Sequence, residues 1–346
     1  MKLLRSSYYV TFAALMIVAS LLLASCNRGT AQSTAATAAL ETTEPTAEAT
    51  ATPAAPPERI LLIDPLGVAT PELTAYLTSF AEENSLLLET MNSNELSPQT
   101  AETRVVIVLA EAAGMSELAS ASPATQFIVT GNIEPVGLAN LSVITTRAED
   151  LAFMGGYLTQ LIAWDWRSAG LVATDTEMAA EKADAFLNGA RYLCGRCTPF
   201  YAPIVSFPLL AQESAQADAL AWGVPIFTLR EHYVNAFYID PDAASSDTLD
   251  SVMAIEEAIF NDVEMIGLNG TPNAERFTAL LGYDTLPAIQ QLLPQALAGS
   301  GGQMIGAQVE ILTNNDPAVI TPARIDIFNS VAAELASGFI SPLSIP

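Results

Sequence analysis

Six polar side chains stand where a short apolar run gives way to a turn: Asp64, Glu111, Asn132, Asp175, Asp240 and Asn269. In open α/β sheets ligands bind beyond the carboxyl ends of the strands. Carboxylates and amides placed there can hold hydroxyls, amines or base edges by directional hydrogen bonds. The same residue types also cap the helix or turn that follows a strand. The six are therefore candidate ligand-binding residues as a set rather than singly. Cys194-Gly-Arg-Cys197 offers a different chemistry. A redox pair needs its first cysteine at a helix N-terminus, whereas this pair follows a helical stretch ending near Leu193. Zinc would need two further ligands, and the lone histidine, His232, cannot supply them. An even pair in an exported chain favours a structural disulfide between Cys194 and Cys197. Trp164, Trp166 and Trp222 could stack on a planar ligand, but packing is their default role. Gly299-Ser-Gly-Gly302 does not lead from a strand into a helix, so it reads as a loop and not a phosphate cradle.

The chain has 346 residues, enough for about two domains or lobes, with 51% hydrophobic residues and a formal charge of −25. Such a charge offers nothing to a nucleic-acid phosphate backbone, so no nucleic-acid partner is expected. With one histidine and no nucleophile-elbow pattern, a Ser-His hydrolase is disfavoured. No catalytic, metal or cofactor site is expected.

The N-terminus reads as an export label. Lys2 and Arg5 precede an uncharged, mostly apolar run from Tyr8 to Ala24, in the order of a signal peptide. Leu23-Ala24-Ser25-Cys26 resembles a bacterial lipobox, which implies cleavage after residue 25 and lipidation of Cys26. More than one acyl chain there would give a stable membrane anchor. Loss of Lys2 and Arg5 would take the charge from −25 to −27, a field that disfavours anionic ligands and lipid headgroups. Residues 27–57 hold ten Ala, eight Thr, four Pro and three Glu, with Leu40 the only large aliphatic. This composition cannot bury enough surface to fold, so residues 26–57 read as a tether carrying the lipidated cysteine. Flexible, it would span roughly 30 Å.

From residue 58 onward strands and helices alternate. Apolar runs at 59–64, 104–110, 126–130 and 141–145 read as buried parallel strands. Pro71 to Thr90 reads as one helix, with Leu73, Leu77 and Phe80 on one face. Thr146-Arg-Ala-Glu149 reads as a capping box opening the next helix. A second strand set is expected at 169–174, 224–228, 236–240 and 264–268, with helices near 177–193, 213–221, 247–260 and 285–298. Thr321-Pro322 would open a last helix that Gly338 stops. Repeated βα units predict parallel sheets covered on both faces. The fold class expected is α/β: two Rossmann-like lobes joined by a hinge, changing near residue 145, the chain crossing back near 265–300.

Glu149-Asp-Leu-Ala-Phe-Met-Gly-Gly-Tyr-Leu158, then Ala169-Gly-Leu-Val-Ala-Thr-Asp175 and Phe186-Leu-Asn-Gly189, resembles the basic-membrane-protein family of solute-binding lipoproteins. Ile266-Gly-Leu-Asn269 resembles that family's later Ile-Gly-Val-Asp strand end. The resemblance implies the type I periplasmic-binding-protein fold, an ABC importer as partner and, in better-matched members, purine-nucleoside binding. Three features depart from the family pattern. No Phe-Asn follows Asp64; Gly131-Asn132 replaces an expected aspartate; and no lysine follows the Ile-Gly strand. The expectation is a membrane-anchored, extracytoplasmic receptor that closes on a small neutral solute and docks on a permease. The alternative is a ligand-free surface lipoprotein using the same fold for protein contacts or sensing.

Overall fold

Runs that show no polar–apolar alternation become strands buried on both faces. In the computed structural model β1 (Arg59–Ile63), β2 (Leu87–Met91), β3 (Thr103–Val108), β4 (Gln126–Gly131) and β5 (Leu141–Thr145) pair in parallel, in the order β5-β4-β3-β1-β2. Ile60, Leu62, Val105, Ile107 and Ile128 face α1 (Pro71–Glu83) on one side of this sheet. Leu61, Ile63, Val106, Val108 and Phe127 face α2 (Met115–Ala121) on the other. The structure describes residues 57–343 apart from Leu66, 93–96, 98, 100–101, 111–112, 134–136 and 260–261. The expected export leader, Cys26, the expected tether up to residue 56 and Glu111 therefore lie outside the described residues. Among the described residues no helix is long and apolar enough to cross a membrane.

α1 starts as its sequence demands: Thr70 Oγ1 accepts the Leu73 N–H at 3.1 Å, and Pro71 takes the first turn. It stops at Glu83, not Thr90. Asn84 caps it, Ser85 turns with φ 57°, and the chain leaves as β2. Leu86, Leu87 and Leu88 had prolonged the helical apolar pattern past this turn.

α3 (Ala148–Ile162) begins the second lobe. Its sheet has the order β12-β10-β9-β8-β6-β7, from β6 (Ser168–Ala173), β7 (Leu209–Glu213), β8 (Ala236–Ile239), β9 (Glu264–Leu268), β10 (Ala279–Asp284) and β12 (Gln308–Asn314). All neighbours are parallel except β12, which runs antiparallel to β10. α3, α4 (Ala179–Cys194) and α8 (Pro322–Ala336) cover one face. α5 (Ala219–Glu231) and α6 (Ser246–Ile259) cover the other. Phe153 and Tyr157 are core residues of α3.

The strand expected at 224–228 is instead the middle of α5. Trp222, Ile226 and Leu229 are buried at helical spacing, while Val224 and Phe227 are 65% and 52% exposed. Apolar residues all round the helix erased the period that would have identified it. The expected capping box is also absent. The N-cap is Arg147, without a side-chain cap, and Glu149 is buried. Thr146 still donates its N–H to Gly131 O (3.4 Å), so the helix opens one residue later.

The glycines of the Gly155-Gly156 and Phe186-x-x-Gly189 pattern set the distance between α3 and α4. A methyl on Gly189 would overlap the Phe153 carbonyl oxygen, and one on Gly156 the Phe186 carbonyl oxygen. The two backbones touch because nothing stands between them.

The chain passes between the sheets three times. β5 leads into α3 at 145–148. β10 leads at 284–286 into α7 (Leu286–Leu297), whose Ile289, Leu292 and Leu293 pack on the first sheet. β11 (Met304–Gly306) then extends that sheet beside β5, and the chain returns at 306–308 into β12. These three segments form the hinge.

Candidate functional site

A cleft of about 500 Å³ lies where the carboxyl ends of both sheets meet the hinge. The first lobe contributes Val68 and Thr70 from the loop after β1, Leu109 and Ala110 after β3, and Thr130 and Gly131 from β4. The first crossing and the start of α3 contribute Thr146, Arg147, Ala148 and Leu151. Opposite stand Pro241 after β8, Leu268 and Asn269 at the end of β9, Leu281 to Tyr283 of β10, and Leu312 of β12. A smaller opening of about 350 Å³ shares Thr70, Tyr283 and Leu312 with it and adds Glu72, Asp284 and Glu310. Burial and the adjacent Asp284 push the Glu310 carboxyl above its ordinary range.

Of the six strand-end candidates, Asn269 lines the cleft; its N–H is held by Leu281 O at 2.7 Å. Asp64 is buried beneath the wall, accepting the N–H groups of Val68 (2.8 Å) and Ala69 (2.9 Å). It fixes the loop that presents Val68 and Thr70. Asn132 is exposed beside the lining Gly131 and does not itself line the cleft. Glu111 follows the lining Ala110 and is outside the described residues. Asp175 is also away from the cleft. It accepts Ser214 Oγ (2.5 Å) and the Ala215 N–H (2.6 Å), joining the ends of β6 and β7. Those two bonds, Ser214 first, hold its carboxyl below the usual range.

Asp240 is fully buried and taken up by Lys182 of α4, whose Nζ lies 3.0 and 2.9 Å from its two oxygens. The ammonium also reaches Asp242 at 3.2 Å. Burial pushes the Asp240 carboxyl up, and Lys182 opposes the rise. Asp240 thus acts as a strut behind Pro241, which does face the cleft.

Two lining residues were outside the sequence candidates. Arg147 donates Nε to Asp150 Oδ2 (3.0 Å) and Nη2 to Asp150 Oδ1 (2.8 Å), a bidentate pair. Asp150 is buried, and desolvation raises its pKa to about 6 against the pull of Arg147. Glu149 is buried next to it, with Oε2 lacking a partner among the described residues. Tyr283 accepts the Arg147 N–H (2.7 Å) and donates to the Arg147 carbonyl (2.5 Å). One hydroxyl so ties the first crossing to the second, and burial pushes that phenol well above its ordinary range. Tyr283 sat in a strand the sequence pattern did not reveal, and Arg147 in the expected capping box.

The remaining features lie elsewhere. Cys194 and Cys197 form a disulfide at the C-terminus of α4. Trp222 is core, and Trp164 stacks on Tyr201 with 5.9 Å between ring centroids. His232 caps α5, and its carbonyl accepts from Arg167 (2.6 Å). Among the described residues no group of His, Cys, Asp and Glu could hold a metal, and no nucleophile–base pair lines the cleft. What the lining can do is bind: hydroxyls, one amide and one guanidinium on largely apolar walls.

No family model matches the chain, and no curated protein sequence matches it. Its fold is similar to that of solved structures. One is an ABC transporter solute-binding protein from Conexibacter woesei, 15% identical, TM-score 0.53, covering 84% of this chain and 98% of that one. Another is an ABC transporter solute-binding protein from Aeropyrum pernix, 11% identical, TM-score 0.48, over 82% and 93%. A third is a transcriptional activator of the comK gene from Bacillus halodurans, 12% identical, TM-score 0.46, over 82% and 99%. Two parallel-sheet α/β lobes and the first of these similarities give the chain the type I periplasmic-binding-protein fold.

Proposed function

We propose that the protein is an extracytoplasmic solute receptor, anchored through lipidated Cys26, that delivers a small neutral solute to an ABC importer. The observation that carries this reading is the open cleft at the strand carboxyl ends, spanned by three hinge segments. A scaffold would be expected to fill that space with side chains; here it is lined by hydroxyls and apolar walls instead. The solute-binding protein from Conexibacter woesei, of the same fold, lends support, as do the export label and tether in the sequence. Closure of the lobes would exclude water from the ligand and create the form that docks on a permease.

Purine nucleosides are the class implied by the resemblance to the basic-membrane-protein family, and so belong in the first screen. Thermal unfolding of the processed protein with nucleosides, sugars and amino acids tests the reading. A ligand at 100 times its dissociation constant should stabilise by about 2.7 kcal/mol. Absence of any shift across all three classes and wider neutral metabolites would favour the ligand-free alternative.

A further inference from the structure

Arg147 is the single charged side chain among the described residues lining the 500 Å³ cleft, and none of the others is acidic. Of the nearby described carboxylates, Glu149 and Asp150 are buried, and Asp284 and Glu310 belong to the smaller opening and interact with each other there. Among the described lining groups an amine entering the main cleft would meet a cation and no carboxylate. A carboxylate would fare little better. The Arg147 charge is already matched by Asp150 through two hydrogen bonds, and Glu149 is buried alongside. Among the described residues Nη1 of Arg147 has no partner. It offers donors without net attraction for an anion. Around it the walls are Val68, Leu109, Leu151, Leu268, Leu281 and Leu312, with Asn269, threonine hydroxyls and the already engaged Tyr283 hydroxyl as the other polar side-chain groups. A polyol would leave many hydroxyls without partners on such walls.

We propose that Arg147 is the specificity-determining residue of the cleft, donating from Nη1 to the carbonyl of a neutral, otherwise apolar ligand such as a lactone, ketone or amide; this rests on the receptor reading above. Tyr283 positions the Arg147 backbone through both its N–H and its carbonyl, and Asp150 fixes the fork. The guanidinium is thereby held before the ligand arrives, which lowers the ordering cost of binding.

The test is calorimetric titration of the full chain in nanodiscs, with empty nanodiscs as control, using γ-octalactone, octanoate, octylamine, glucose and adenosine. The first three share one carbon-chain length and differ in the head group. The lactone is expected to bind, and octanoate and octylamine to bind at least about tenfold more weakly. Ala148→Trp, which fills the cleft, should abolish lactone binding. Arg147→Met/Asp150→Asn removes donor and carboxylate together and should weaken the lactone by about tenfold or more. Arg147→Lys keeps the charge and loses the fork, and should also weaken it if the double variant does not fold. Lactone binding indifferent to both Arg147 variants would overturn the role of Arg147. Adenosine, glucose, octylamine or octanoate binding in the cleft more tightly than the lactone would overturn the ligand class and leave the receptor standing. Binding of none of the five would overturn the ligand class, while the receptor reading falls only if the wider thermal-shift screen is also silent.

Discussion

Asp150 should make the protein less stable as pH rises from acid to neutral. Its carboxyl has an ordinary pKa of 3.8 and is pushed to about 6 in the fold, chiefly by burial. The folded state therefore holds the proton more tightly than the unfolded chain. By linkage that contribution is fully present below about pH 3.8 and is lost as pH climbs through 6. The displacement corresponds to roughly 3 kcal/mol. Burial also raises the Glu264 and Glu310 carboxyls, so Asp150 is not the sole source of pH dependence. The informative quantity is thus a difference against Asp150→Asn, whose amide cannot ionise and can still accept from Arg147. Urea unfolding of both proteins at pH 4 and pH 7.5 measures it. Because the unfolded carboxyl is already partly ionised at pH 4, the variant should gain about 2–2.5 kcal/mol on wild type between the two pH values, on the order of 5–10 °C in Tm. A difference independent of pH, or one of opposite sign, would refute burial as the dominant influence on this carboxyl.

Other substitutions probe the supports of the cleft. Gly189→Ala places a methyl against the Phe153 carbonyl oxygen; although alanine favours helices by up to about 1 kcal/mol, overpacking should leave a net loss of about 1–3 kcal/mol in urea melts. A gain in stability would show that α3 and α4 can separate freely. Lys182→Met strands the buried Asp240 carboxylate and should cost about 3–5 kcal/mol, most of it recovered in Lys182→Met/Asp240→Asn. Equal losses in the single and double variants would argue against a stranded charge. Tyr283→Phe removes the hydroxyl shared by the Arg147 N–H and carbonyl. It should lower stability by about 1–3 kcal/mol and speed hydrogen exchange at Arg147; unchanged exchange there would sink the proposed link between the crossings.

Fold class was legible because parallel strands buried on both faces read as unbroken apolar runs, as in Leu61-Leu62-Ile63 and Val105 to Val108. Where that signature weakens, so did the reading. β2 is an edge strand of the first sheet with a mostly exposed pattern, and β7, which ends in Gln212-Glu213, is an edge strand of the second. α5 carries apolar residues outward as well as inward, so it resembled a buried strand. The motif glycines 156 and 189 were visible in sequence, but that they mark a helix–helix contact follows only from the packing. The strand-end rule located the cleft better than its residues. Asp64, Asp175 and Asp240 are satisfied by a loop, a neighbouring strand end and a lysine far away in the chain. No local pattern announces a partner such as Lys182. Arg147 and Tyr283 matter because they stand on two hinge crossings, and crossings are a property of topology.

Everything functional here depends on the cleft being a binding site. Equilibrium dialysis of the processed protein against a cell extract, followed by mass spectrometry of what it retains, asks this most directly. The expected result is one small neutral compound held at one per chain by the wild type and absent from Ala148→Trp. Retention of nothing, or equal retention by wild type and the filled variant, would contradict the account.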